Sequence, residues 1–323
     1  MNISSIVCQT TGASRAEKTE TLQTLWSGYG HIYRFKLTGG PARSVVVKHV
    51  KYDHNRKREG LSDQRKRRSY HVETEWYRRW AQLCTKDCPV PHCYGIESNE
   101  DEVIMILEDL DAAGFALRLH NPSPKEIELC LEWLADFHAR FLGDPPEGLW
   151  EKGTYWHLET RPEELDLLDD IQLKKAAPLI DKKLNETPFP TIVHGDAKLA
   201  NFCLSRDRTR VAAVDFQYVG GGCGMKDLAY LGGSCFYYDQ CEENIPFLLD
   251  SYFSYFRRAL KKYGKKQNPQ RVEENWRELF PYAWSDFHRF LKGWTPGRWN
   301  RDDYSERVSR QIAQECLRAA RTD

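Results

Sequence analysis

The sequence lacks a net charge, a membrane-spanning apolar run, an internal repeat and a low-complexity linker. Its 323 residues include 47 Lys or Arg and 47 Asp or Glu, so no bulk electrostatic attraction to nucleic acid is expected. No apolar stretch reaches the roughly 20 residues that cross a bilayer. Residues 1–15 also lack the charge and apolar order of a signal peptide. We therefore expect a cytoplasmic protein with no membrane span and no nucleic-acid partner.

Paired Cys-x-x-Cys metal motifs are also missing, although the chain contains ten cysteines. These cysteines are scattered through apolar segments, which is typical of reduced thiols in a protein core. The nearest approach to a metal cluster is Cys84, Cys88, His92 and Cys93. Its spacing and neighbouring prolines favour a loop over a zinc site.

The most informative stretch is HGDAKLAN at residues 194–201, which is followed by VDF at residues 214–216. In phosphoryl transfer, the attacking hydroxyl needs a carboxylate that orients it and accepts its proton, and Asp196 is the candidate for this base. Magnesium on a triphosphate needs hard oxygen ligands, for which Asn201 and Asp215 are the candidates. The spacing of these residue types predicts a kinase active site.

Three short apolar runs surround these polar residues, at 191–193, 202–204 and 211–214. A polar turn at 206–209 separates the last two runs. The pattern predicts strand, loop, strand, turn and strand, with the polar residues at strand ends. Such a geometry lets the two carboxylates and the carboxamide face one point. The alternative is a polar loop that only joins core strands.

The His-Gly-Asp triplet, the Asn five residues after the Asp, and the later Asp-Phe pair resemble the protein-kinase-like fold. The closer match is its small-molecule branch, which includes aminoglycoside phosphotransferases, choline kinases and ecdysteroid-kinase-like proteins. The resemblance implies an α+β, two-lobed fold with a small antiparallel-sheet N-lobe, one main N-lobe helix and a larger, mainly helical C-lobe. It places the nucleotide-clamping lobe and hinge at residues 1–110 and the catalytic, acceptor-binding lobe at residues 111–323.

The same resemblance implies roles for three neighbours of the predicted base. Lys198 stands where protein kinases carry a lysine that contacts the transferred phosphoryl group, and a solvated loop lysine is its alternative. His194 is expected to brace the loop and not to transfer protons. Asp227 resembles the buried aspartate that holds this loop in the fold, with a helix N-cap as its alternative.

The N-terminal region is predicted to form a meander of three strands at residues 20–26, 31–37 and 44–50. Gly28 and Gly30 lie between the first two strands, where glycines would let backbone N–H groups approach the phosphates of ATP. An ordinary hairpin turn is the alternative, because the full glycine-rich kinase pattern is absent.

Lys48 ends a β-branched run, and a lysine there needs an anion to offset its desolvation. The resemblance implies that this anion is the α/β-phosphate, with Glu73 holding the amine and Glu75 as the second candidate. A further predicted strand at residues 103–107 leads into Glu108 to Leu110. These residues resemble the hinge that binds adenine through its backbone, and plain strand-end acids are the alternative.

Two sequence features favour a small-molecule acceptor. No Ala-Pro-Glu motif or long activation segment follows Asp215 before the next helical pattern near residue 225, and a protein kinase needs that segment to dock a peptide. Gln217 stands where protein kinases carry glycine. Further upstream, Ser123 and Glu126 form a predicted capping box that starts a core helix containing a packed His138.

The acceptor pocket is expected from the aromatic-rich last hundred residues, in sequence that appears irregular. Most aromatic residues of this region are expected to pack in a helical core, and the candidates for the pocket wall are Trp284, Asp286, His288, Trp294 and Trp299. A bulky apolar alcohol or a quaternary ammonium would suit such aromatic faces. The sequence leaves ecdysteroid-like, choline-like and aminoglycoside-like acceptors open, as it does the oligomeric state.

A basic run at residues 51–68 is predicted to be a solvated, mobile loop above the nucleotide site, and attraction of an anionic substrate or partner is its alternative.

The whole pattern predicts a kinase that uses ATP and Mg²⁺ to phosphorylate a hydroxyl of a small molecule. A nucleotide-binding pseudokinase scaffold is the rival, although it would need none of Lys48, Asp196, Asn201 and Asp215. A protein kinase is a third, weaker interpretation.

Overall fold

The computed structural model of the protein describes residues 2–52, 60–297, 299 and 303–321. The chain forms two compact units: Met1–Arg118 with Cys203–Val214, and Leu119–Phe202 with Asp215–Asp323. The first unit is built mainly on an antiparallel sheet and the second is mainly helical. The α+β fold class expected from the sequence is therefore confirmed, while the lobe boundary between residues 110 and 111 stays a prediction.

In the described part of the chain, the strands are β1 (Arg15–Thr24), β2 (Gly30–Thr38), β3 (Ser44–Lys51), β4 (Cys93–Ser98), β5 (Glu102–Glu108), β6 (Leu117–Arg118), β7 (Thr191–Val193), β8 (Phe202–Leu204), β9 (Val211–Ala213) and β10 (Gly220–Gly222). The α-helices there are α1 (Ile3–Thr11), α2 (Leu61–Glu75), α3 (Pro124–Arg140), α4 (Pro162–Asp166), α5 (Ile171–Asn185), α6 (Met225–Cys235), α7 (Cys241–Lys262), α8 (Pro269–Trp294) and α9 (Tyr304–Ala319).

The main sheet of the first unit has the strand order β1-β2-β3-β5-β4. The predicted meander is confirmed, because β1 pairs with β2 and β2 with β3, both antiparallel. Strand β4 and helix α1 were not predicted. Helix α1 places Val7 in a core with Phe35, Val45 and Ile104 from the sheet, so burial of apolar side chains holds it in place.

The basic run does not form a loop throughout, because helix α2 already begins at Leu61. The predicted mobile loop is therefore wrong over residues 61–68. Arg67 and Asp63, four residues apart, make an ion pair of 2.8 Å along this helix, which favours the helical conformation of an otherwise charged segment. Residues 53–59 of the same prediction lie outside the described residues.

The second unit begins its helices with α3, whose predicted capping box is present. The backbone N–H of Ser123 donates to Glu126 Oε2 at 2.7 Å. As expected, His138 of this helix is fully buried. Strands β7 and β10 form an antiparallel pair in this unit, and the loop that follows β7 carries the predicted catalytic residues.

The predicted irregularity of the segment near the C-terminus is wrong over residues 269–294, which form one continuous helix, α8. A role of these residues in an acceptor pocket stays a prediction. Three of the five candidates are buried and hydrogen-bonded within the helical core. Their partners are Ser305 for Trp284, Arg289 and Trp156 for Asp286, and Glu306 for His288. Of the other two, Trp294 is exposed and Trp299 donates to the Thr295 carbonyl. Polar residues and Pro281 inside the helix made this segment appear irregular.

Within the described residues, no helix is both long enough and apolar enough to cross a membrane. All ten cysteines lie among these residues, and none of them takes part in a disulfide.

Candidate active site

The buried carboxylate of Asp227 holds the predicted catalytic loop, residues 194–201. Asp227, in the first turn of α6, accepts hydrogen bonds from the backbone N–H groups of His194 at 2.6 Å and Gly195 at 2.9 Å. Its Oδ2 is also 3.0 Å from Nε2 of His138. The bracing role expected for Asp227 agrees with these contacts, since one carboxylate orients two consecutive peptide groups.

Gly195 lies where only glycine fits. Its φ of +80° is in the left-handed region, and a Cβ there would lie 2.0 Å from the Tyr218 carbonyl oxygen and 2.9 Å from the Thr154 nitrogen. The Tyr155 N–H also donates to the Gly195 carbonyl at 3.1 Å. The loop is therefore clamped between two neighbouring backbone segments, and its path is defined independently of any ligand.

Lys198 and Asn201 both contact the carboxylate of Asp196. Asp196 is only 6% exposed. The Asn201 amide donates to its backbone oxygen at 2.7 Å and to Oδ2 at 2.9 Å, and Lys198 Nζ donates to the same Oδ2 at 2.9 Å. Because the amide nitrogen of Asn201 is used here, its carbonyl oxygen is the atom that can bind a cation.

The Asp196 carboxyl has an altered acidity. Burial, followed by the nearby negative charge of Asp215, raises its pKa from 3.8 to about 6, against the opposing effect of Lys198. The pKa of Lys198 is also raised: burial acts to lower it, but the charges of Asp196 and then Asp215 outweigh that effect. The negative charge of Asp215 acts on both Asp196 and Lys198, so the two carboxylates share one electrostatic environment.

Asp215 follows β9 in a conformation that is uncommon for a residue with a side chain, with φ of +71°. The Gln217 amide donates to its Oδ1 at 2.8 Å. Backbone strain of this kind costs about 1–3 kcal/mol and is concentrated at functional sites. One carboxylate and one amide oxygen, completed by phosphate oxygens and water, form a donor set of the kind Mg²⁺ takes. Asp215 and Asn201 therefore fit a magnesium site.

In the first unit, the predicted ion pair between Lys48 and Glu73 is present. Both side chains are buried, and Lys48 Nζ lies 2.8 Å and 2.6 Å from the two carboxylate oxygens of Glu73. Glu75, the second candidate, instead lies 3.4 Å from Arg78. Pairing offsets the cost of burying the ammonium and fixes it at the sheet.

The other nucleotide-binding candidates have defined structural positions. Gly30 has φ of +131°, and a Cβ there would lie 2.0 Å from the His49 carbonyl oxygen, so the sheet itself requires glycine. Gly28 closes a single 3₁₀ turn before β2. Glu108 ends β5 and accepts from the His92 N–H at 3.2 Å, while Leu110 is buried. Their roles toward a nucleotide stay predictions.

Sequence reasoning missed three tyrosines around Asp196. The ring of Tyr155 lies 5.9 Å from that of Tyr218 and 5.6 Å from that of Tyr230, between centroids. Asp196 influences the ionisation of Tyr155 and of Tyr230. A signal for Tyr230 was present, since it stands three residues after Asp227 on one helix. Tyr155 and Tyr218 lie in loops with no local pattern.

A sheet-based unit with a lysine–glutamate pair, together with a helical unit that carries a braced Asp and Asn loop, defines a kinase-like fold of the small-molecule branch. The chain belongs to the phosphotransferase enzyme family, whose model matches residues 21–265. It is accordingly a small-molecule phosphotransferase of a family of ATP-dependent kinases.

The chain is similar to several solved structures, of which the first named here has the same fold. A putative fructosamine-3-kinase from Thermobifida fusca has a TM-score of 0.52 and 17% identity, over 98% of this chain and 99% of that one. One from Haemophilus somnus has a TM-score of 0.49 and 14% identity, over 98% and 96%. An aminoglycoside phosphotransferase from Streptomyces rimosus has a TM-score of 0.41 and 17% identity, over 78% and 90%. No curated protein sequence gives a significant match.

Proposed function

We propose that this protein is an ATP- and Mg²⁺-dependent kinase that transfers the γ-phosphate to a hydroxyl of a small molecule. The observation that carries the proposal is the cluster of Asp196, Asn201 and Asp215, in which a buried carboxylate has a pKa of about 6. A general base functions best when its pKa lies near the working pH. Such a site accelerates transfer through positioning and charge stabilisation, without a covalent enzyme intermediate.

In the proposed reaction, Asp196 accepts the proton of the acceptor hydroxyl. The acceptor oxygen forms a bond to the γ-phosphorus, the bond from that phosphorus to the β–γ bridging oxygen breaks, and ADP leaves with the electron pair. Asn201 and Asp215 would hold Mg²⁺, which neutralises phosphate charge when bound. Lys198, with a side chain 37% exposed, would stabilise negative charge on the transferring group.

For the nucleotide, we propose that Lys48, held by Glu73, binds the α/β-phosphates, that the Gly28 to Gly30 turn covers the phosphates, and that the backbone of Glu108 to Leu110 binds adenine. Residues 1–110 would then form the nucleotide lobe and hinge, and residues 111–323 the catalytic and acceptor lobe. The pseudokinase rival is disfavoured, because a scaffold has no use for a buried, ion-paired lysine and two neighbouring carboxylates that each cost folding free energy.

A transfer screen tests the proposal. Purified protein with labelled ATP and Mg²⁺ would be given amino alcohols, aminoglycosides, sugars, steroids and generic peptides, with Asp196→Asn as the control. A labelled small molecule that is missing with the variant supports the proposal and identifies the acceptor class. Label found only in peptides would favour a protein kinase, and a protein that does not bind ATP would contradict the proposed function.

The pH dependence of transfer should follow the ionisation of Asp196. The base works only when ionised, so kcat/KM should fall about tenfold per pH unit below about pH 6. An ordinary aspartate would place this fall near pH 4. Initial rates between pH 4.5 and 8.5, corrected for unfolding, measure the position of the fall. A profile flat down to pH 4.5 would contradict the assignment.

Asp215→Ala should weaken ATP binding in the presence of Mg²⁺ by about tenfold or more, because the metal loses its only proposed carboxylate. Titration calorimetry with ATP in excess Mg²⁺ and again in EDTA separates the metal-dependent part of ATP affinity from the part that needs no metal. We expect the difference between these conditions to shrink in the variant. Asp250→Ala, which removes a carboxylate exposed by 72%, is the matched control and should behave as wild type. An unchanged Mg²⁺ effect in Asp215→Ala would remove Asp215 from the metal site.

A further inference from the structure

The short segment that follows β5 is held by one arginine from β2. Arg34 Nε donates to Asp109 Oδ2 at 2.9 Å, and Arg34 Nη2 donates to Asp111 Oδ2 at 2.5 Å. The third nitrogen, Nη1, donates to Oε2 of Glu20 on β1 at 2.6 Å. One planar guanidinium therefore binds the residues on both sides of Leu110 at once, which its rigid fork of donors allows.

The register of the main sheet explains why Arg34 reaches this segment. Arg34 stands opposite Val46 of β3, and the preceding residue of β3, Val45, stands opposite Glu108 at the end of β5. Neighbouring strands lie about 4.8 Å apart, so a long side chain can span the one strand between β2 and the end of β5. The sheet itself thus places the guanidinium beside the segment.

Asp109 is only 4% exposed, so its carboxylate depends on its protein partners. Besides Arg34, Ser44 Oγ of β3 donates to Oδ2 at 2.7 Å. The other oxygen, Oδ1, accepts from the Asp111 N–H at 3.2 Å. The carboxylate therefore joins the sheet to the turn that follows it. Removal of the arginine would leave a buried charge without its cationic partner.

A second arginine holds the other end of the turn. Arg118 Nη2 of β6 donates to Asp111 Oδ1 at 3.0 Å, and its Nη1 donates to the Phe115 carbonyl at 2.9 Å. The Phe115 N–H donates to the Leu110 carbonyl at 2.7 Å. Leu110 is thus part of a turn in which its own carbonyl and the side chains of both its neighbours have partners.

In contrast, no described residue accepts a hydrogen bond from the Leu110 N–H. Leu110 is buried, and the backbone N–H groups of buried residues are nearly always paired. A single donor in a fixed position at the end of a strand suits a ring nitrogen that accepts a hydrogen bond. Adenine offers such nitrogens, so the orientation of this turn bears on recognition of the base.

We propose that Arg34 is a positioning residue that fixes the turn at Leu110 for adenine, because it pairs with Asp109 and Asp111 on either side. This inference rests on the proposed function, since it assumes that the base binds at Glu108 to Leu110. Arg34 would then affect binding of the base and leave binding of the phosphates unchanged, because the proposed phosphate contacts lie elsewhere in the unit.

Arg34→Lys tests the inference, because it keeps the positive charge and removes the planar fork. Titration calorimetry of the full chain with ATP and Mg²⁺ should show about tenfold weaker binding, since a buried acceptor loses a donor. Tripolyphosphate with Mg²⁺, which lacks the base and is measured by its displacement of ATP, should bind as it does to wild type. Arg15→Lys, the same change on β1 at a side chain 71% exposed, is the matched control and should change neither affinity.

Hydrogen exchange without nucleotide, followed by mass spectrometry, measures how firmly the turn is held. Peptides that cover residues 108–115 should exchange faster in Arg34→Lys than in wild type, because the turn opens more often. Peptides from α3 should exchange at the same rate in both proteins. Unchanged exchange at residues 108–115 overturns the proposal, and so does an equal weakening of ATP and tripolyphosphate, which a merely structural role would produce.

If Arg34→Lys fails to fold, Asp111→Ala replaces it, at a side chain 36% exposed. Weakening of ATP by about threefold, with tripolyphosphate unchanged, supports the proposal, and unchanged ATP affinity overturns it. A wild type that does not bind ATP contradicts the proposed function and this inference with it. If wild type binds ATP and Arg34→Lys binds it equally well, only the inference fails.

Discussion

Asp196→Asn should bind ATP normally and lose phosphate transfer by about 10²- to 10⁴-fold, the range that a general base contributes. Asparagine retains the shape of the side chain and can still face Lys198 and Asn201, but its amide cannot accept the acceptor's proton at neutral pH. Single-turnover transfer and ATP titration on the same preparation measure the two quantities. Turnover near that of wild type would remove Asp196 from the role of base.

The loss of phosphate transfer in Asp196→Asn should result from the missing base and not from unfolding. The folded-state pKa of Asp196 is raised from 3.8 to about 6, so the folded state holds this proton more tightly than the unfolded state. The contribution of Asp196 to stability is therefore present below about pH 4 and is lost as pH rises through about 6. A neutral asparagine avoids the cost of the buried charge. The melting temperature of Asp196→Asn minus that of wild type should therefore be larger at pH 8 than at pH 5. A larger difference at pH 5 would contradict the assigned pKa.

Asp227→Asn should lower the free energy of unfolding by about 2–4 kcal/mol and reduce transfer at least 100-fold. The carboxylate accepts from two backbone N–H groups and faces His138. An amide has only one accepting atom, so its NH₂ group must face a buried donor, which leaves that donor unsatisfied. The catalytic loop would then shift, and small displacements of a base reduce rates strongly.

Urea denaturation and single-turnover transfer measure both effects of Asp227→Asn. Asp250→Asn is the matched control, because it makes the same chemical change at a carboxylate that is 72% exposed and paired with Arg277. Exposed ion pairs contribute little, so this control should remain within about 0.5 kcal/mol of wild type. Equal stability of Asp227→Asn and wild type would show that the brace is not needed for the fold.

The features predicted correctly from sequence share a local cause. Each of them depends on residues within about ten positions of one another. They are the strand ends at the HGDAKLAN loop, the capping box at Ser123 and the β-branched run before Lys48. Backbone preference and side-chain spacing at that range are set by periodicity and capping. The ion pair between Lys48 and Glu73 was found only because the resemblance to kinases named a helix glutamate as its partner.

The failed predictions concern segments whose state depends on distant partners. Helix α8 looked irregular, yet Trp284, Asp286 and His288 are buried because Ser305, Arg289, Trp156 and Glu306 supply their hydrogen bonds. A polar side chain is buried at acceptable cost only where such partners exist. Similarly, the charged start of α2 gave no apolar periodicity from which its helix could be predicted.

By itself, the sequence determined the residue types of the catalytic loop, which form a short-range pattern. The fold class and the phosphotransferase family followed from the resemblance that this pattern carries. Tertiary structure alone decided which groups tune that loop. The pKa of Asp196 depends on its burial and on Asp215, and the tyrosines beside it come from a separate loop and from α6. Desolvation and the charge of neighbouring groups depend on distance in space, which the order of residues along the chain does not specify.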